Sequence, residues 1–267
     1  MRITSTSNPR IKQIRKLKSH KERMQSGSFF IEGLRIVGEA FEQKAQFEYL
    51  VYAPGLLTSE FGQKIVAYFK ENDLDVLETS DEVFRSISSK DGPQGIAAVL
   101  SWKLKSLADL NLEKGDLWVA LDSIQDPGNL GTILRTCDAV GGKGLILLDQ
   151  STDPYSLAAT RASMGALFSQ EIVIADFITF KEWRRNNPVA VVATSDVAEL
   201  DYHQYSYPDP MILLMGSERE GLHQQYYELC DAVVRIPMVG KSDSLNLAVA
   251  SGVSLYEIFN QRRFRRA

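Results

Sequence analysis

The sequence predicts an α/β protein built as two units, the second of them around a mostly parallel sheet. Three observations lead there. Short apolar runs such as Leu117-Trp118-Val119-Ala120-Leu121 and Met211-Ile212-Leu213-Leu214-Met215 are continuous, not alternating, as in strands covered on both faces. Helical patterns separate those runs. Between Ser101 and Gly115 the pattern loosens into Lys103, Lys105, Ser106, Asp109, Asn111, Glu113 and Lys114. That divides the chain into a domain over 1–105, a linker over 106–114 and a domain over 115–267.

In the first unit, Ser7-Asn8-Pro9 is a helix-start signal, and Ile11, Ile14 and Leu17 follow at helical spacing, giving a basic helix from Pro9 to Arg23. Ser28 to Ile31 is a short strand that ends at Glu32-Gly33, and Leu34, Ile36, Val37 and Ala40 mark a helix. A strand over Phe47–Tyr52, a helix near 60–72, a strand at Asp75–Leu77, a short helix over Asp81–Ile87 and a strand over Gly95–Leu100 complete it. In the second unit, strands are expected at Leu117–Leu121, Gly144–Leu148, Glu171–Ile174, Val189–Thr194, Ile212–Met215 and Ala232–Ile236. Helices are expected from the turn at Asp122–Asn129 through Val140, at Thr160–Phe168, at Phe180–Asn186 and at Leu245–Phe259.

Composition narrows the function classes. With 267 residues, 44% hydrophobic and 24% charged, the chain can bury a substantial core. No apolar run reaches the roughly 18 residues a membrane span needs, and no signal-peptide pattern follows the basic N-terminus. The two cysteines, Cys137 and Cys230, make no disulfide framework, and no His/Cys cluster has metal-ligand spacing. The expectation is a cytoplasmic protein without a metal. The net charge of −4 hides an uneven distribution. Arg2, Arg10, Lys12, Arg15, Lys16, Lys18, Lys21 and Arg23 crowd the N-terminus, and Arg262, Arg263, Arg265 and Arg266 end the chain. Such cations either solvate helix faces or contact nucleic-acid phosphates; Arg10, Lys12, Arg15, Lys16 and Lys18 are the RNA-binding candidates.

Three stretches carry possible chemistry. The first is Asp126-Pro127-Gly128-Asn129-Leu130-Gly131-Thr132-Ile133-Leu134-Arg135. It lies between a strand and a helix, where amides and the helix dipole favour an anion. Asn129 is either a ligand group or a cap; Arg135, six residues on, is either a site cation or a surface one. The second is Gly216-Ser217-Glu218-Arg219-Glu220-Gly221, where a glycine just past a strand allows close approach of a ligand and Glu218 is either an ordinary acid at a helix start or a group that holds an arginine or the substrate. The third is Ser242-Asp243-Ser244-Leu245-Asn246, where Ser244 can cap the last helix and Asn246 can bond a ligand. His20, His203 and His223 lie outside these stretches, which argues against Ser-His-Asp hydrolysis and a histidine base. There is no Gly-Lys-Ser/Thr phosphate loop and no Gly-x-Gly-x-x-Gly after a strand.

Taken in order, the stretches resemble the three motifs of the SpoU/TrmH family of RNA ribose methyltransferases, in the SPOUT superfamily. The Asn129–Arg135 stretch resembles the first. Leu214-Met215-Gly216-Ser217-Glu218 through Gly221-Leu222 resembles the second, and Ile236-Pro237-Met238 with Ser244-Leu245-Asn246 the third. Phe30-Ile31-Glu32-Gly33 and Gln94-Gly95-Ile96-Ala97 resemble the family's ribosomal-protein-like substrate-binding domain, an α/β sandwich. Asp243 stands where the family more often has glutamate, and Ser217 where asparagine is common.

The resemblance implies methyl transfer from S-adenosylmethionine to a ribose 2′-hydroxyl of RNA, a C-terminal trefoil knot and a homodimer. It implies that Thr194, Gly216, Ile236 and Leu245 hold the cofactor, largely through backbone contacts. Asn129, Arg135, Glu218, Ser244 and Asn246 match the catalytic positions. Similar enzymes are described with the first-motif arginine as base, but a free guanidinium keeps its proton. The two-domain layout favours ribosomal RNA over transfer RNA; the rivals are a transfer-RNA methyltransferase, a catalytically silent RNA-binding protein and a generic nucleotide-binding α/β enzyme, the last disfavoured by the missing Gly-x-Gly-x-x-Gly.

Overall fold

A computed structural model describes residues 2–102 and 104–265. Lys103 and Arg266, read above among the linker and tail cations, lie outside them, and the side chain of Arg265 is not described. The contacts divide the chain into two compact units. The first is Met1–Lys103 with Tyr155–Phe168, and the second is Leu104–Pro154 with Ser169–Ala267.

The first unit runs α1 (Pro9–Lys16), α2 (His20–Ser26), β1 (Ser28–Glu32), α3 (Leu34–Glu42), β2 (Phe47–Tyr52), α4 (Glu60–Glu71), β3 (Val76–Glu78), α5 (Asp81–Ile87) and β4 (Ile96–Ser101). Its four-stranded sheet has the order β1-β4-β2-β3; β4 runs antiparallel to both neighbours and β2 pairs β3 in parallel. The expected single basic helix from Pro9 to Arg23 is two helices. α1 is started by the Asn8 side chain, which accepts from the Arg10 N–H, and closes at Leu17; α2 resumes at His20. Ile11, Ile14 and Leu17 of the first piece pack with Phe30, Val51 and Phe84. Burial of such side chains contributes about 1.5–3 kcal/mol each. The two short motifs of this unit meet. Gly33 donates its N–H to the Ile96 carbonyl, and Gln94 Oε1 accepts from the Leu34 N–H at the start of α3. Gly95 has φ +71°, and a side chain there would strike the backbone of Leu56 and Leu57.

The second unit runs β5 (Leu117–Asp122), α6 (Pro127–Ala139) and β6 (Gly144–Leu148). The chain then passes through α7 (Leu157–Ala162), which belongs to the first unit, and returns as β7 (Glu171–Ala175), α8 (Phe177–Asn186), β8 (Ala190–Thr194), β9 (Leu200–Asp201), β10 (Met211–Met215), α9 (Gln224–Tyr227), β11 (Ala232–Arg235) and α10 (Leu247–Arg265). The seven strands have the order β7-β6-β5-β10-β8-β11-β9, and every pair is parallel. β10 is buried along its whole length between β5 and β8. The sheet reverses its direction of growth there, and open parallel sheets bind ligands beyond the strand ends at such points.

Three local expectations need correction. The helix expected over Thr160–Phe168 is α7 followed by a separate 3-10 turn at Ala166–Phe168, because Met164 and Gly165 take positive φ between them. The stretch expected as a linker, 106–114, is packed: Leu107 and Leu110 are buried in the core of the second unit with Trp118, Phe180 and Trp183. The last helix starts at Leu247, two residues later than expected, because Asn246 caps it. Among the described residues, no helix is long and apolar enough to cross a membrane, and no His/Cys/Asp/Glu group could hold a metal ion.

Candidate active site

The turns after β5, β8, β10 and β11 gather at the C-terminal ends of the strands. Asp126 caps α6, accepting from the Asn129 N–H at 2.8 Å, which leaves the amides of Gln125 and Asp126 themselves outside the helix ladder. Glu218, in the turn after β10, fills that gap. Its carboxylate accepts from the Gln125 N–H and the Asp126 N–H, each at 3.1 Å, and from Asn129 Nδ2 at 3.0 Å. Burial alone would raise the Glu218 pKa. The hydrogen bonds from Asn129, Gln125 and Asp126 outweigh burial and hold it below the usual carboxylate range.

The chain of contacts continues. Asn246 Nδ2 donates to Asn129 Oδ1 at 3.0 Å, while Asn246 Oδ1 accepts from the Ala248 and Val249 amides in the first turn of α10. These bonds fix both amide orientations. Each Nδ2 has one N–H left over, while Asn246 Oδ1 already accepts twice and Asn129 Oδ1 once. Asn129 and Asn246, oriented by Glu218 and by the start of α10, therefore offer N–H donors to a ligand.

Beside the trio lies a cavity of about 410 Å³. Thr194, Gly216, Ile236 and Leu245, the four residues expected to hold a cofactor, all line it. Thr194 Oγ1 already contacts Met215 Sδ at 3.1 Å. Gly216 lies so close to the facing chain that a Cβ would sit 2.1 Å from Gly221 C and Leu222 N. Asp196, Glu218, Glu220 and Asp243 line the cavity against one cation, Arg219. That acidic balance suits a ligand with net positive charge, as S-adenosylmethionine has through its sulfonium and ammonium groups. The volume falls in the range of small-molecule sites. The residues present fit the group.

Two expected catalytic residues stand apart from the trio. Arg135 is exposed on α6 and makes no hydrogen bond or ion pair among the described residues. Ser244 lines the cavity, is exposed, and does not cap α10; Asn246 does. Glu218 holds no arginine among the described residues; amides take that place. Of the RNA-binding candidates, Lys12, Lys16 and Lys18 are exposed. Arg10 is engaged with Asp75 through two hydrogen bonds and lies over the Tyr49 ring. Arg15 is turned onto Thr6 and Ser86. In the tail, Arg262 bonds the Gly115 and Asp116 carbonyls and pairs with Asp209. Burial pushes the thiols of Cys137 and Cys230 up to about 12, so neither is a nucleophile at neutral pH.

The sequence reading missed one pair. Asp122, fully buried at the end of β5, accepts from both the backbone N–H and the ring Nδ1 of His223. The signal available was an aspartate closing an apolar strand, where a buried acid requires a partner.

Comparison with known proteins follows the same lines. The profile of the SpoU rRNA Methylase family matches residues 116–256, and that of the MRM3-like substrate binding domain matches residues 8–98. A solved AdoMet-bound rRNA methyltransferase from Sinorhizobium meliloti is 38% identical, with a TM-score of 0.88 over 99% of this chain and 98% of that one. The 23S rRNA (uridine(2479)-2′-O)-methyltransferase of Streptomyces viridochromogenes is 30% identical over 98% of this chain and 92% of its own. The 23S rRNA (guanosine(2553)-2′-O)-methyltransferase RlmP of Bacillus subtilis is 28% identical over 96% of this chain and 98% of its own.

Proposed function

The chain belongs to the SpoU rRNA methylase family, and from that membership we propose that it transfers a methyl group from S-adenosylmethionine to a ribose 2′-hydroxyl of ribosomal RNA. The observation that carries this reading is the Glu218–Asn129–Asn246 chain set beside an acidic cavity walled by Gly216. S-adenosylmethionine, when bound, supplies an electrophilic methyl on a sulfonium. Thr194, Gly216, Ile236 and Leu245 would hold the cofactor. The C-terminal segment carries the family's trefoil knot, and the protein works as a homodimer. Exposed Val249 and Tyr256, seven residues apart on one face of α10, suit a partner helix. The first unit holds the RNA, with Lys12, Lys16 and Lys18 as its free N-terminal cations.

The protein's own residues mainly position the reactants. Asn129 and Asn246 offer their spare N–H groups to oxygens of the nucleotide. Glu218 is a poor proton acceptor, since three N–H donors stabilise its ionised form. Arg135, free of protein partners among the described residues, binds the phosphate next to the target ribose and lowers the hydroxyl pKa electrostatically, so that the proton leaves to solvent water as the oxygen is methylated, while Ser244 orients the hydroxyl. Arg135→Lys tests the guanidinium role: activity should fall at least about tenfold, because lysine cannot reproduce the planar fork. Near-normal turnover with an unchanged pH–rate profile would remove that role.

The deciding experiment supplies methyl-labelled S-adenosylmethionine with unmodified ribosomal and transfer RNA pools, with Arg135→Ala in parallel. Label should survive alkali as a dinucleotide in ribosomal RNA and vanish in the variant. Label confined to transfer RNA would keep the chemistry and overturn the substrate.

A further inference from the structure

The segment 217–222 closes one side of the cavity and is tied down at both ends. At one end Glu218 enters the amides after β5. At the other, His223 grips Asp122, the last residue of β5, through its backbone N–H at 2.9 Å and its ring Nδ1 at 2.8 Å. Asp122 is 0% exposed, and no other side chain donates to it among the described residues. The far side of the ring matters equally. Nε2 lies 3.1 Å from Glu220 Oε2, and Glu220 lines the cavity.

A neutral imidazole has one N–H. It can donate to Asp122 or to Glu220, and the nitrogen that remains then presents a lone pair to a carboxylate. Only the imidazolium donates to both. The charged groups facing the ring are Asp122 from β5, Glu220 from its own loop, and Asp149 at the end of β6, which lines the opening beside His223 with Ser123, Gln150, Gln224 and Gln225. Asp149 is already engaged by the Tyr226 hydroxyl and the Phe177 N–H. Among the described residues, no lysine or arginine bonds to any of these three carboxylates.

We propose that His223 is a positioning residue for methyl transfer: bridging Asp122 and Glu220, it fixes the 217–222 wall and so sets the affinity for S-adenosylmethionine. The inference rests on the cofactor reading above. The hydrogen bond to Asp122, opposed by partial burial and aided by Glu220, raises the histidine above its ordinary value. The sign follows. The bridge is complete below the ordinary imidazole pKa and is lost as pH rises through the raised one.

The test is calorimetric titration of the full-length protein with S-adenosylmethionine between about pH 6 and pH 9, a span that brackets a raised histidine. The wild type should lose about fivefold in affinity across it, near the low end of coupling effects because the ring is partly exposed. His223→Gln keeps a donor for Asp122 and cannot titrate. Its affinity should vary only by the share due to titration of the ligand itself. Glu220→Gln, which removes the second carboxylate without touching the buried pair, should flatten the profile in the same way and guards against misfolding of the first variant. A wild-type affinity that is flat with pH, or an unchanged fivefold loss in both variants, overturns the proposal. Failure of the wild type to bind at every pH would instead overturn the cofactor reading and this inference with it.

Discussion

Gly216 has no room for a methyl group, because the Cβ would fall on the backbone of Gly221 and Leu222. Gly216→Ala must push the 217–222 wall away, and it should abolish measurable S-adenosylmethionine binding while costing about 1–3 kcal/mol of stability. Calorimetric titration together with thermal unfolding separates the two effects, and wild-type affinity in a folded variant would refute the wall's role. Glu218 sets a second expectation at this scale. Its carboxyl sits below the ordinary range, so the hydrogen bonds it receives are in place above that range and fade as pH falls through the lowered value. Glu218→Gln should remove this acid-side loss of activity and lower turnover at neutral pH. Residue type and turn position left Asn129, Glu218 and Asn246 open between caps and ligand groups, and it was the resemblance to the SpoU/TrmH motifs that singled them out. The bonds among them were not legible: they join residues 89 and 117 positions apart. His223 escaped for the same reason. Its partner Asp122 is 101 residues away, and no local pattern encodes that distance.

The elements are held by end effects that the sequence states openly. Asp126, Asp176, Ser59 and Ser80 each accept a backbone N–H at a helix start. Asp126→Ala should cost about 1 kcal/mol, or about 2–4 °C in Tm. It should depress methyl transfer less than Glu218→Gln does, because the Asp126 amide that binds Glu218 survives. Equal losses would mean that the cap and the carboxylate site act as one. Strands were the most readable elements, since continuous apolar runs in a covered parallel sheet have few alternative readings. Helix interruptions were less so. The basic segment splits after Lys16, and the Thr160–Phe168 helix breaks at Met164, a non-glycine residue with φ +53° that no propensity would select.

For the molecule as a whole, the division of contacts differs from the division of sequence. The segment 155–168 interrupts the catalytic chain yet belongs to the first unit. There Arg161 meets Glu32, a carboxylate 3% exposed that also accepts from the Ser89 N–H and hydroxyl. Burial would raise the Glu32 pKa; the Ser89 bonds and Arg161 reverse this and lower it. Arg161→Met should therefore destabilise the protein by about 1–3 kcal/mol, less than a fully buried pair because the guanidinium is partly exposed. Denaturant midpoints would show the loss at neutral pH, with a smaller difference in acid once Glu32 protonates. No boundary drawn from composition could assign this segment, since loosened sequence marks a linker and a well-packed insertion leaves no such mark.

The cavity draws its lining from the ends of β8, β10 and β11 and from the first turn of α10, reaching Ala250. The wall therefore cannot assemble before both β11 and the first turn of α10 have been made, well after the Glu218 turn. Walls drawn from four elements so far apart in sequence predict slower assembly than a site built on one local turn.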